Sequence, residues 1–142
     1  MIQKCKEAGL NAVANDAITY LQNLGDQSVG IITGFHLIEH LSFKNRMKLF
    51  DEAFRVLAPG GVVIFETPNP ENLTVGACEF YSDPTHRRPI PPASLKYFIE
   101  TRGFFKTEIV RVNRVEHLPD DNLSLKELLA VGKDYSVIGY KA

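Results

Sequence analysis

Two apolar runs of strand length bracket one amphipathic helix, and this succession narrows the folds open to the chain more than any other feature. Val29-Gly30-Ile31-Ile32-Thr33-Gly34-Phe35 is nearly continuous in apolar character, as is Val62-Val63-Ile64-Phe65-Glu66. A run of that kind marks a strand covered on both faces, so Val29 to Phe35 is read as a central strand of a parallel sheet. Between the two runs, Met47, Leu49, Phe50, Ala53, Phe54 and Leu57 recur in steps of three and four, with Lys44, Lys48, Asp51, Glu52 and Arg55 on the other side. Pro59-Gly60-Gly61 stops that helix. Strand, helix, strand implies a right-handed parallel crossover, and hence an α/β domain with a mostly parallel sheet and flanking helices over residues 1–142.

The flanks are less regular. Ile2 to Ala8 reads as helix with Gly9 at its left-handed cap, Leu10 to Ala14 as a short strand, and Ala17 to Leu24 as a short helix after the Asn15-Asp16 break. Residues 71–92 hold Pro84, Pro89, Pro91 and Pro92 and show no sustained period, which predicts a long loop; loops of such length are uncommon unless functional. Pro92 to Arg102 resumes helix. Phe104 to Val112 and Tyr135 to Tyr140 read as late strands, with a loop and short helix between Asp120 and Leu129.

Charge removes some function classes. Sixteen Lys and Arg against 17 Asp and Glu give a net charge of −1, which offers no bulk attraction to duplex DNA or to an anionic membrane. The apolar stretches are too short to span a bilayer, and no charged-then-apolar leader opens the sequence, so a cytoplasmic location is expected. Cys5 and Cys78 fit no metal-knuckle spacing and are expected to be free thiols.

Chemistry concentrates in His36-Leu37-Ile38-Glu39-His40, directly after the first apolar strand. On a helical turn, positions i, i+3 and i+4 share a face, so His36, Glu39 and His40 would converge. The segment leaves the carboxyl end of a parallel strand, where open α/β sheets place their ligands. His86, in the Pro-rich loop after the next strand, emerges at the same end. A His/Glu/His/His set of His36, Glu39, His40 and His86 suits Zn²⁺, Mn²⁺ or Fe²⁺, and Mg²⁺ less naturally. The opposing reading makes Leu37 and Ile38 core residues and the polar groups simple strand-end caps. H-x-x-E-H is also the zinc signature of inverted zincin proteases, but those need one long helix carrying both histidines. Here a strand precedes the first histidine and Ser42 starts a helix after the second.

The succession Asn15-Asp16-Ala17, then Phe35-His36-Leu37-Ile38-Glu39-His40-Leu41, then Phe54-Arg55-Val56-Leu57-Ala58-Pro59-Gly60-Gly61 resembles the second half of a class I S-adenosylmethionine-dependent methyltransferase. The resemblance implies a Rossmann-like fold. It implies that Asp16, with the Ala17 amide beside it, faces the cofactor's adenine, and that Phe35 and His36 line its methionine end and the substrate. Within that superfamily, small-RNA 3′-terminal ribose methyltransferases have a metal site of similar layout, which His36, Glu39, His40 and His86 match, with His36 where that family has Glu. Thr67-Pro68-Asn69 resembles the turn after their fifth strand. The loop from Thr67 to Pro92 is more like that of bacterial methyltransferases associated with glycan assembly. Both comparisons imply methylation of a sugar or other hydroxyl. The metal would act as Lewis acid, and whichever of His36, His40 and His86 is free would take the proton. Arg87 and Arg88 are candidates to hold a phosphate or carboxylate on the substrate.

The family's opening strand, G-x-G-x-G turn and second strand, with its acidic residue for the cofactor ribose, have no counterpart in these 142 residues. The expectation is an incomplete domain lacking the first two strands and binding S-adenosylmethionine weakly alone. Its rival is a non-catalytic module that binds a partner or completes a split domain. Either way, Val29 to Phe35 would lose a neighbour. Leu10 to Ala14 could slide in beside it, or a homodimer could form through the exposed sheet edge, the outcome expected here.

Overall fold

The structure is a computed structural model that describes residues 2–114 and 130–142. In chain order the elements are α1 (Ile2–Glu7), α2 (Ala17–Gln22), β1 (Val29–Phe35), α3 (Phe43–Val56), β2 (Leu57–Pro68), α4 (Leu73–Ala77), α5 (Pro92–Glu100), β3 (Phe105–Val112) and β4 (Asp134–Tyr140). Single turns of 3₁₀ helix cover Ile38–His40 and Glu79–Ser82. The loop and short helix expected between Asp120 and Leu129 lie outside the described residues.

The β1-α3-β2 unit is as the sequence predicts, with β1 and β2 parallel and in register from Ile31↔Val62 to Phe35↔Glu66. Ser42 caps α3 by accepting from the Asn45 amide at 3.2 Å. The buried stripe of α3 is Leu49, Phe50, Ala53 and Val56, and Phe50 meets Phe65 of β2 with ring centroids 5.0 Å apart. At its far end Lys141 Nζ donates to the carbonyls of Phe54 and Leu57, both at 2.7 Å, satisfying groups that the last helical turn leaves open.

The sheet runs β1-β2-β4-β3. Beyond β2 it turns antiparallel, β2 with β4 and β4 with β3. The α/β, Rossmann-like arrangement with flanking helices therefore holds, but the described sheet is mixed, with one parallel contact and two antiparallel ones. Helix α5 packs on β3 and β4. Leu95 and Ile99 join Phe104, Tyr135 and Val137 in the same core as the α3 stripe.

Two expectations are corrected at the other margin. Leu10 to Ala14 forms no strand; Leu10 is 63% and Val13 59% exposed, and no described strand pairs with this stretch. For the same reason β1 is not central but the end strand, with Ile31 65% exposed. The sliding-in of Leu10 to Ala14 beside β1 does not occur. Gly34 marks the one close approach on β1, since a Cβ there would lie 2.8 Å from the Phe65 ring. Among the described residues, no helix is long and apolar enough to cross a membrane, and Cys5 and Cys78 are free.

Candidate functional site

At the carboxyl ends of β1 and β2 the chain makes a tight exchange. The His36 amide still donates to the Glu66 carbonyl at 3.0 Å, continuing the ladder one step past β1. His36 then turns left-handed at φ +48°, an uncommon conformation for a residue with a Cβ and a sign of local strain. The next residues wind into the 3₁₀ turn Ile38–His40, too short for the histidine-bearing helix of an inverted zincin.

Glu39 is fully buried at that turn. Its Oε2 accepts from the Thr67 hydroxyl at 3.0 Å. Its Oε1 has His36 Nδ1 at 3.3 Å, but in a geometry that makes no hydrogen bond, so a buried carboxylate oxygen is left without a donor.

The Pro-rich loop closes over this turn. The Arg87 amide donates to the Glu39 carbonyl at 3.0 Å, and Arg87 Nε donates to the His40 carbonyl at 2.9 Å. His86 is thereby set beside His40, with ring centroids 4.8 Å apart. Each imidazole is tied at Nδ1. His86 Nδ1 lies 2.6 Å from the Phe80 carbonyl, which only accepts, so this nitrogen carries the proton. His40 Nδ1 lies 2.9 Å from the Thr85 hydroxyl, and that hydroxyl is 2.6 Å from Asp83 Oδ1. A hydroxyl has one proton to give, so donating it to the carboxylate leaves Thr85 to accept from His40 Nδ1–H. Both histidines then keep Nε2 as a lone pair, the arrangement that outer partners impose on metal-ligating histidines. The hydroxyl and backbone N–H of Thr85 hold the Asp83 carboxyl below the usual carboxylate range, keeping the acceptor charged.

Ligand atoms of Glu39, His40 and His86 lie within 4.8 Å of one another. The donor set, two imidazoles and one carboxylate with an unsatisfied oxygen, fits a divalent cation. His36 touches only one member of this trio, its Nδ1 lying 3.3 Å from Glu39 Oε1. The i, i+3, i+4 argument assumes a helix running through residue 36, and the left-handed turn puts His36 outside it. Its Nε2 faces the other way, 4.0 Å from Glu66 Oε1 and 3.9 Å from Asp134 Oδ1. His36 and His86 border one small cavity of about 240 Å³, with Phe80, Lys133 and Asp134 on its walls.

The candidate cofactor residues lie along β1. Asp16 caps α2, its Oδ1 accepting from the Thr19 amide at 2.9 Å and the Thr19 hydroxyl at 3.0 Å. Ala17 opens α2 and lines, with Tyr20, Ile31, Ile32 and Gly34, an apolar trough of about 410 Å³. Phe35, at the end of β1, is 57% exposed. Three features escaped the sequence reading. The Asp83-Pro84-Thr85 turn was legible as Asp accepting from the amide two residues on. Arg46, an arginine within the buried stripe of α3, was a second signal. The hydrogen bond from the Tyr135 hydroxyl to the Ile90 carbonyl, at 2.7 Å, had none.

Residues 1–65 match a family described as a methyltransferase domain. A probable S-adenosylmethionine-dependent methyltransferase of Mycolicibacterium smegmatis is 38% identical over 81 residues, 57% of this chain and 30% of that protein. This chain thus spans about a third of that curated relative. Among solved structures, a SAM-dependent methyltransferase from Archaeoglobus fulgidus superposes with TM-score 0.86 at 28% identity, covering 98% of this chain and 71% of that one. A possible histamine N-methyltransferase from Thermotoga maritima gives 0.76 at 16% identity, covering 100% and 69%, a likeness of fold alone.

Proposed function

We propose, from this kinship with class I S-adenosylmethionine-dependent methyltransferases, that the chain forms the acceptor side of such an enzyme and methylates a hydroxyl, with a divalent cation held by Glu39, His40 and His86. One observation carries the reading: two imidazoles tied at Nδ1 meet a buried carboxylate whose Oε1 has no donor.

When bound, the cation would supply Lewis acidity, lowering the acceptor hydroxyl's pKa. The chain's own residues do the rest. His36 sets Nδ1 against Glu39 Oε1 and leaves Nε2 beside the small cavity, where it accepts the hydroxyl proton. Asp134 and Lys133, on the same wall, suit a hydroxyl-rich acceptor, since one accepts and the other donates. The resemblance to ribose and glycan-associated methyltransferases supports a sugar. Asp16 and Ala17 at the head of α2, with Phe35 and His36 after β1, are the residues this chain offers the cofactor. In-line transfer would move the methyl from the sulfonium to the oxygen as the S–CH₃ bond breaks and O–CH₃ forms.

The test is calorimetry with Zn²⁺, Mn²⁺ and S-adenosylmethionine, followed by methyl transfer to sugar hydroxyls with and without chelator. The expected result is cation binding lost in His40→Ala and His86→Ala, and transfer abolished by chelation. Transfer that survives both would overturn the assignment. If S-adenosylmethionine binds only when a second protein is added, the non-catalytic module reading is favoured.

A further inference from the structure

Next to the His40–His86 pair, α3 and α5 begin on the wall of one cavity of about 520 Å³. Ser42, Phe43 and Arg46 reach it from the start of α3, Pro91 and Ser94 from the start of α5, and Phe98 from further along α5. Arg87 and Arg88 close it from the Pro-rich loop. No Asp or Glu among the described residues lines it.

Arg46 sets this cavity apart from an ordinary cationic surface. It is only 5% exposed. Nε donates to the Ile38 carbonyl at 3.1 Å and Nη2 to the Leu41 carbonyl at 3.2 Å, which fixes the guanidinium plane. Nη1 has no partner among the described residues, and no carboxylate lies within ion-pair distance of Arg46, Arg87 or Arg88 there. Glu39 acts on Arg46 only at longer range, its Oε2 accepting from the Thr67 hydroxyl. Burial lowers the Arg46 pKa, Tyr135 and Glu39 oppose that, and the like charge of Arg88 adds to it. An anion in the cavity would offset the charge of both guanidiniums.

Both helices present their amino-terminal, partly positive ends, which adds to the attraction. Three guanidiniums and two helix ends suit a dianion with three free oxygens better than a carboxylate with two. Apart from Ser42 and Ser94 the rest of the lining is apolar, with Phe43 and Phe98 in an edge-to-face pair at 5.5 Å and Phe43 59% exposed. That surface suits a carbon skeleton attached to the anion.

We infer that this cavity is a phosphoryl subsite, in which Arg46 and Arg88 hold a phosphate monoester and Phe43 and Phe98 hold the carbon chain or ring it is attached to. Arg87 joins the cavity wall to the cluster through its bonds to the Glu39 and His40 carbonyls. On the reading given under Proposed function, on which this last step rests, the phosphate belongs to the methyl acceptor and anchors it beside His40 and His86.

The experiment is calorimetry of the full chain with inorganic phosphate, phenyl phosphate and acetate at fixed ionic strength. Inorganic phosphate should bind saturably, phenyl phosphate more tightly, and acetate more weakly than either. Arg88→Gln, at an exposed position, should weaken phosphate binding about tenfold or more. Arg46→Lys, which keeps charge but loses the fork, should do the same, with circular dichroism checking the fold. Phe43→Ala should erase the advantage of phenyl phosphate alone. No saturable phosphate binding, acetate binding equally well, or Arg88→Gln binding as the parent does would each overturn the subsite. Phosphate binding without methylation of any phosphorylated hydroxyl compound would sink the proposed function and leave the subsite standing; methylation without phosphate binding would do the reverse.

Discussion

On the β4 side of β2 the sheet is covered, while on the β1 side it is bare. Toward β4, Phe65, Val63, Tyr135 and Val137 are at most 1% exposed, packed with α3 and α5. Toward β1, the equally apolar Ile31 is 65% exposed and the trough along Ala17, Tyr20 and Gly34 lies open. Both margins carry residues suited to burial, and among the described residues only the β4 margin has elements that cover them fully. Hydrophobic pattern reports what a strand is suited to, and neighbouring elements decide whether that is realised.

Phe65→Ala should cost about 3–5 kcal/mol in urea unfolding, because it removes a packed ring and leaves a cavity. Ile31→Ala should change stability by less than about 0.5 kcal/mol, as surface changes do. Equal costs would mean that the trough is covered in solution, as the dimer expected from the sequence would cover it, and light scattering at micromolar concentration would then detect the larger species.

The same contrast explains what the sequence disclosed. The strands β1 and β2 and the helix α3 were legible because each carries a pattern complete within itself. The end position of β1 and the failure of Leu10 to Ala14 to pair were not, because pairing depends on a second strand that local pattern does not report. At the site, His86 was placed at the right end of the sheet by strand direction alone. His36 reaches Glu39 but falls outside the tight group that Glu39 forms with His40 and His86, because the chain is left-handed at residue 36 and helical spacing does not run through it. Arg46 was legible in principle, as a charge three residues before Leu49 and four before Phe50 on the buried stripe.

At the site, the covered margin supplies the loop that orients His40. On the cation reading, Thr85→Val removes the hydroxyl between His40 Nδ1 and Asp83 while keeping the shape. Cation affinity should fall by about 10–100-fold with unfolding little changed, as calorimetry and urea titration would record. An unchanged affinity would mean that the Asp83–Thr85–His40 chain does not orient the ring.

A smaller effect is expected at the strut of the covered side. The Tyr135 hydroxyl crosses the core to donate to the Ile90 carbonyl, and burial pushes its pKa far up, so it stays a donor through the ordinary pH range. Tyr135→Phe should cost about 1 kcal/mol, the net worth of one such bond, and should loosen the Pro-rich loop beside Ile90. Amide exchange should then quicken at Arg87 and Arg88, leaving α2 on the open margin unchanged.

The smallest effect belongs to that open margin, at Asp16. The Thr19 backbone amide and hydroxyl hold its carboxyl below the usual value of 3.8. Because the folded value lies below the unfolded one, the stabilisation is present above the usual value and is lost as pH falls through the folded one. The amides of α2, Thr19 and Tyr20 above all, should therefore lose exchange protection only below about pH 4. Asp16→Asn should keep the helix, since Asn also caps, and remove that pH dependence. The variant also separates the two roles given to Asp16. With α2 intact, a loss of S-adenosylmethionine affinity marks a contact between the carboxylate and the cofactor, whereas an unchanged affinity leaves Asp16 as the cap of α2 and nothing more.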